Sequence, residues 1–171
     1  MRMNRAWIEA RIPHQGRMCL LDEVIEWDPH HIRCRTETHR APDNPLRSHD
    51  RLGIACGIEY GAQAMALHGA LAGGARGVGG TPGVGVAPGA GVAPGAGAGT
   101  PSRVGLLAGV RDVRLHVLRL DDIESDLICE AVHLAGDSLT ALYEFALRDR
   151  DRTLLSGRAS VVLDAGRRLR L

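Results

Sequence analysis

Aromatic side chains are scarce in this sequence: 171 residues include only Trp7, Trp27, Tyr60, Tyr143 and Phe145. Five rings offer no platform on which bases could stack. A formal net charge of +1, with both signs interspersed, leaves no basic field to attract a polyanion. Nucleic acid is thereby excluded as the main partner. Long apolar runs are also lacking, because glycines and prolines interrupt the longest one, so no membrane span is expected. The first residues, Met1 to Glu9, have no apolar stretch of the secretory kind, and a cytoplasmic protein is the default expectation. The four cysteines (Cys19, Cys34, Cys56, Cys129) stand singly with no Cys-x-x-Cys pair, which suits small buried thiols. No His, Asp and Glu group has metal-ligand spacing, so no metal is expected. No Gly-x-Gly-x-x-Gly follows a strand pattern, which excludes a dinucleotide site. Ser48, Ser102 and Ser156 lack the Gly-x-Ser-x-Gly elbow of a serine hydrolase.

The most informative stretch that is present runs from Gly53 to Ala70. Ile54, Ile58, Ala62, Met65 and Gly69 recur at helical spacing. Gly57, Gly61 and Ala64 leave so little bulk that this helix can approach a sheet closely. Gly57, Gly61 and Gly69 cost roughly 1 kcal/mol each relative to alanine, so the helix must draw its stability from being surrounded. It carries one acid, Glu59, and one amide, Gln63, four residues apart. A carboxyl buried in such surroundings is expected to have a raised pKa, as a general acid needs.

Around this helix the chain reads as strands. A short helix over 6–11 precedes a strand at 18–27, with Cys19, Leu21, Ile25 and Trp27 on one side. A second strand at 32–39 alternates Ile32, Cys34, Thr36 and Thr38 against charged residues, and the two form a hairpin. Residues 40–52 form a loop that delivers the chain to the helix. Residues 72–101 are a Gly/Pro-rich, repetitive segment, expected to be a flexible insertion within a single domain spanning 1–171. Four more strands follow with no helix between them. Strands that do not alternate with helices predict an α+β domain, a curved antiparallel sheet wrapped around the one long helix.

Two motifs carry a family resemblance. Ile12-Pro-His-Gln-Gly-Arg-Met-Cys-Leu-Leu-Asp-Glu-Val24 resembles the opening of the hotdog-fold 3-hydroxyacyl-ACP dehydratases. Ile58-Glu-Tyr-Gly-Ala-Gln-Ala-Met-Ala66 resembles their central-helix motif. With Asn44-Pro-Leu-Arg47, Val110-Arg-Asp-Val-Arg-Leu-His116 and Leu155-Ser-Gly-Arg-Ala-Ser-Val-Val162, the sequence is most similar to the aryl-polyene-type branch. The resemblance implies a dehydratase that converts a 3-hydroxyacyl thioester on acyl carrier protein to the trans-2-enoyl thioester, in fatty acid or polyene biosynthesis. It also implies a homodimer or a heterodimer with another hotdog subunit, and no cofactor beyond the phosphopantetheine arm that carries the substrate. In the family a histidine takes the α-proton and the helix acid protonates the departing hydroxyl, the two residues coming from opposite subunits.

By this resemblance Glu59 is the acid and Gln63 its companion amide. Backbone N–H groups of Gly53, Ile54 and Ala55 are the expected oxyanion donors, where a helix start presents unpaired donors. Arg47 is expected to meet a phosphate. The family's histidine position, fourteen residues before the acid, is Pro45 in this chain. Two candidates remain open: His49, ten residues before Glu59, which is favoured, and His39, twenty before it. His14 is read as structural, and His30-His31 as a solvated turn. The rival readings are a non-catalytic hotdog subunit that stabilises an active partner, and a hotdog thioesterase.

Overall fold

The computed structural model describes residues 2–76 and 105–162. Helix α1 (Arg5–Glu9) is followed by strands β1 (Glu23–Trp27) and β2 (His31–Thr36), the long helix α2 (Gly57–Arg76), and strands β3 (Leu106–Leu115), β4 (Leu127–Gly136), β5 (Thr140–Asp149) and β6 (Arg152–Val162). All six strands form one antiparallel sheet in the order β1-β2-β4-β5-β6-β3, and α2 lies against β2, β4 and β5. This is the α+β hotdog architecture expected from the strand and helix order. No helix among the described residues is long and apolar enough to cross a membrane.

Side-chain alternation explains why the sheet covers the helix. Ala141, Tyr143, Phe145 and Leu147 of β5 and Leu155, Ala159 and Val161 of β6 all turn into the core. The helix meets them closely at Gly61, where an added Cβ would lie 2.5 Å from the Phe145 ring. On the other side of that ring, a Cβ at Gly157 of β6 would lie 3.1 Å away. The phenyl group therefore occupies a slot that only two glycines leave open, as the low bulk of the helix anticipates.

Five features differ from the sequence reading. Residues 19–22 are not strand; Cys19, Leu20 and Leu21 are all buried, so this segment has no alternation to show. A register shift between Val24 and Glu26 then turns Val24 inward and Ile25 outward, reversing the expected side of β1. β2 ends at Thr36, and His39 sits in a 3₁₀ turn over Thr38–Arg40. The most buried face of α2 is Gly57, Tyr60, Gly61, Ala64, Leu67 and His68 rather than the purely apolar one, because small and hydrogen-bonded residues fit closest to the sheet. The helix also continues through Arg76, so the expected insertion loses its first five residues (72–76) to α2. The remainder, 77–101, lies outside the described residues.

Cys19, Cys34 and Cys129 are buried and Cys56 half-buried, all as free thiols. Burial pushes the Cys34 thiol up to about 12. These thiols are inert core groups, as their scattered spacing implies.

Candidate active site

Glu59 enters the structure half-buried in the first turn of α2. Its neighbour one turn on, Gln63, is fully buried and uses every polar atom. Gln63 Nε2 donates to Glu59 Oε1 (3.0 Å) and to the Met18 carbonyl (2.8 Å), while Oε1 accepts from the Leu20 N–H (2.8 Å). One amide thus fixes the carboxylate and pins the irregular 18–20 segment to the helix. The hydroxyls of Thr36 and Thr38 hold the same segment through the Leu20 carbonyl. Gln63 thus donates to Glu59 from one turn further along the helix.

The sequence reading missed the third member. His14 Nε2 lies 3.1 Å from Glu59 Oε1, with the two side chains 26 % and 32 % exposed. The sequence reading takes His14, which follows Pro13 in the opening motif, as structural. Only the fold brings positions 14 and 59 together. Its loop is well anchored: Ile12 is in the core, Gln15 Nε2 donates to the Glu9 and Ile12 carbonyls, and Arg5 Nη2 donates to the Gly16 carbonyl. His14 Nδ1 is buried with no hydrogen-bond partner among the described residues.

These hydrogen bonds overturn the expected raised pKa of Glu59. The bond from His14 holds its carboxyl below the usual range, against the opposing effect of burial, and the bond from Gln63 adds to the lowering. At neutral pH Glu59 is a carboxylate.

Glu59 and His14, together with Arg11, supply the polar side chains that line a cavity of about 420 Å³. Its other walls are mostly apolar, with Ile12 and Pro13 from the N-terminal loop, Met65 and Ala66 from α2, and Leu106 and Leu107 from β3. That combination of volume, apolar lining and few convergent polar groups is typical of a small-molecule site. β3 is an edge strand, and Leu106 and Leu107 remain 50 % and 41 % exposed.

The other expected site residues are not brought to this cavity within the chain. His49 is exposed, in a left-handed backbone conformation (φ 51°), with Nδ1 3.0 Å from Ser48 Oγ. His39 is fully buried, with Nε2 3.0 Å from the Ile123 carbonyl, and desolvation lowers its pKa. Arg47, expected to meet a phosphate, is instead occupied by the loop: Nη1 donates to the Asp50 carbonyl (3.1 Å) and pairs with Asp121 (3.6 Å). Asp121 also accepts from the Leu52 N–H and from Arg119, contacts that hold its carboxyl well below the usual range. Of the expected oxyanion donors, the Ile54 N–H is already given to the Leu118 carbonyl (3.1 Å), and Gly53 forms a bridge with Arg119. None of Gly53, Ile54 and Ala55 lines the cavity. No group of His, Cys, Asp and Glu among the described residues could hold a metal ion.

No curated protein matches the sequence. Residues 6–90 match the model of the ApeP-like family, described as ApeP dehydratase. Among solved structures, the dehydratase heterocomplex ApeI:P from Xenorhabdus doucetiae contains a chain similar to this one. It has a TM-score of 0.69 at 20 % identity, covering 91 % of this chain and 90 % of that one. A mutant thioesterase from Pseudomonas aeruginosa gives 0.56 at 9 % identity, covering 94 % and 93 %. AziG from S. sahachiroi gives 0.53 at 8 % identity, covering 82 % and 89 %. At these identities the structures speak for the fold, and the family model speaks for the segment that carries His14, Glu59 and Gln63. By its residues 6–90 the chain is a member of the ApeP-like dehydratase family, built on the hotdog fold.

Proposed function

We propose that the protein eliminates water from a 3-hydroxyacyl thioester carried on acyl carrier protein, giving the trans-2-enoyl thioester. The observation that carries this reading is the Glu59 carboxylate, held by Gln63 and His14 on a mostly apolar cavity. An α-proton next to a thioester is acidic enough for a positioned side chain to remove, so the reaction needs no cofactor beyond the pantetheine arm that delivers the chain. The apolar walls suit the acyl chain. The reading places the thioester beside Glu59 and His14, with its arm leading out to acyl carrier protein.

The β3 edge supports a paired assembly, as a homodimer or with a second hotdog subunit. An unpaired edge strand with Leu106, Leu107, Val113 and Leu115 exposed invites a partner strand. A partner there would cover the cavity wall that Leu106 and Leu107 form. The heterocomplex from Xenorhabdus doucetiae supports the mixed form of this pairing. A second reading, thioester hydrolysis, is favoured by the thioesterase neighbour, whose fold this chain shares. The expectation of a non-catalytic subunit rested on the absent histidine string, and His14 beside Glu59 weakens that ground.

The test incubates a 3-hydroxyacyl thioester on acyl carrier protein with wild type and Glu59→Gln. Conversion to a product lighter by one water, by wild type only, is the expected result. Release of a free thiol without dehydration would favour hydrolysis. No conversion by wild type, alone or with a co-purifying hotdog subunit, would overturn the proposal.

A further inference from the structure

We propose that His14 is the proton donor of this site, so that one chain carries both reacting groups of the elimination. This rests on the dehydratase reading above and changes its division of labour. The expected scheme takes the histidine from the loop before α2, or from a second subunit, and makes Glu59 the acid.

Three observations carry the inference. His14 and Glu59 line the same cavity, and their reactive atoms are in contact at 3.1 Å. Neither His39 nor His49 lines that cavity, and each is engaged elsewhere, with Ile123 and Ser48 respectively. The loop that carries His14 is fixed on both sides, by Ile12 in the core and by the side chains of Gln15 and Arg5, so the ring is held without its Nδ1 being used.

The chemistry balances within the pair. With the substrate hydroxyl beside the contact, the Glu59 carboxylate takes the proton from Cα. The C–H electron pair becomes the Cα=Cβ π bond as the Cβ–O bond breaks. The departing oxygen takes the Nε2 proton of the His14 imidazolium and leaves as water. Glu59 then holds a proton that His14 lacks, and transfer across the same contact restores the starting state. The step has no net proton change and uses no oxidant or reductant.

The test uses a 3-hydroxyacyl pantetheine thioester with wild type, His14→Ala, His14→Asn, His49→Gln and Glu59→Gln, read by enoyl absorbance and mass. His14→Ala should lower kcat/KM by about 10²- to 10⁴-fold, the usual range for a lost acid or base. Added imidazole should restore part of that activity in His14→Ala and none in Glu59→Gln. The alkaline fall in the wild-type pH profile of kcat/KM should be absent from His14→Ala, and His49→Gln should behave as wild type. His14→Asn keeps a polar side chain in place, and an equal loss there separates chemistry from misfolding. If wild type forms the enoyl thioester and His14→Ala keeps pace, this proposal falls and the dehydratase reading stands. A loss in His14→Ala with no imidazole rescue and an unchanged pH profile would make the residue structural. If wild type forms no enoyl thioester, both fall together.

Discussion

Helix α2 carries two buried polar clusters, and the contrast between them separates architecture from chemistry. Towards its C-terminal half, His68 is 1 % exposed and spends both ring nitrogens: Nδ1 on the Tyr143 hydroxyl (3.0 Å) and Nε2 on the Asp28 carbonyl (3.0 Å). The rings of His133 and Tyr143 pack against it. Near its N-terminus, Glu59 and His14 form a pair that is one-third to one-quarter exposed, opens on a cavity, and keeps one imidazole nitrogen unused. Both clusters tie the helix to distant parts of the chain. Only the second has a face left for a substrate. Residue type is the same in both, so it is the opening onto a cavity that tells the second cluster from the first.

That contrast can be broken most directly at Glu59. Glu59→Gln should lower enoyl formation by about 10²- to 10⁴-fold, while its urea midpoint stays near that of wild type. A large stability loss with little effect on turnover would place Glu59 in the first class after all. Gln63→Leu should hit both properties. It removes the hydrogen bond that orients Glu59 and leaves the Leu20 N–H and Met18 carbonyl unpaired, a loss of about 1–3 kcal/mol in unfolding free energy. His68→Leu should act on stability alone, by about 1–3 kcal/mol, because the Tyr143 hydroxyl and Asp28 carbonyl lose a buried partner. Its kcat should match wild type in the same assay, and a fall would mean that the two clusters are coupled along the helix.

The smallest effect is the most discriminating, because the clusters titrate in different windows. Burial lowers the His68 pKa from 6.5, with the charge of His133 adding to the shift and the Asp28 carbonyl opposing it. The unfolded chain therefore binds a proton before the folded one does, and stability should erode as pH falls below 6.5. Buried His39 shifts in the same direction and shares this window. Glu59 is lowered from 4.5, so its contribution is present above that value and is lost only as pH falls through it towards the folded pKa. Urea unfolding should accordingly weaken in two stages. His68→Leu should shrink the upper stage, and Glu59→Gln should shrink the lower one.

How far the sequence revealed all this depended on the range of each interaction. β5 and β6 were legible because period-two alternation is local and both strands sit between neighbours. The tight approach of α2 was legible in Gly57 and Gly61, since missing side chains imply a close surface. β1 was misread because a bulge reverses its sides, and a bulge leaves no mark in hydrophobic pattern. The upstream end of the site suffered most. Glu59 and Gln63 share a helix turn, so their spacing alone suggests cooperation, whereas His14 reaches Glu59 across forty-five positions. The error in the direction of the Glu59 pKa has the same origin, because burial was inferred from composition while its hydrogen-bond donors came from elsewhere in the chain.

The Phe145 ring seated between Gly61 and Gly157 has a bearing on the site that goes beyond packing. Gly61 lies midway between Glu59 and Gln63, and successive residues of an α-helix are separated by about 100° around its axis. The ring therefore works as an indexing pin. With the aromatic ring lodged against the bare backbone at Gly61, α2 can neither roll nor slide without a collision, and the bearing of Glu59 towards His14 is set by a residue of the sheet. The aim of the carboxylate is machined into the sheet.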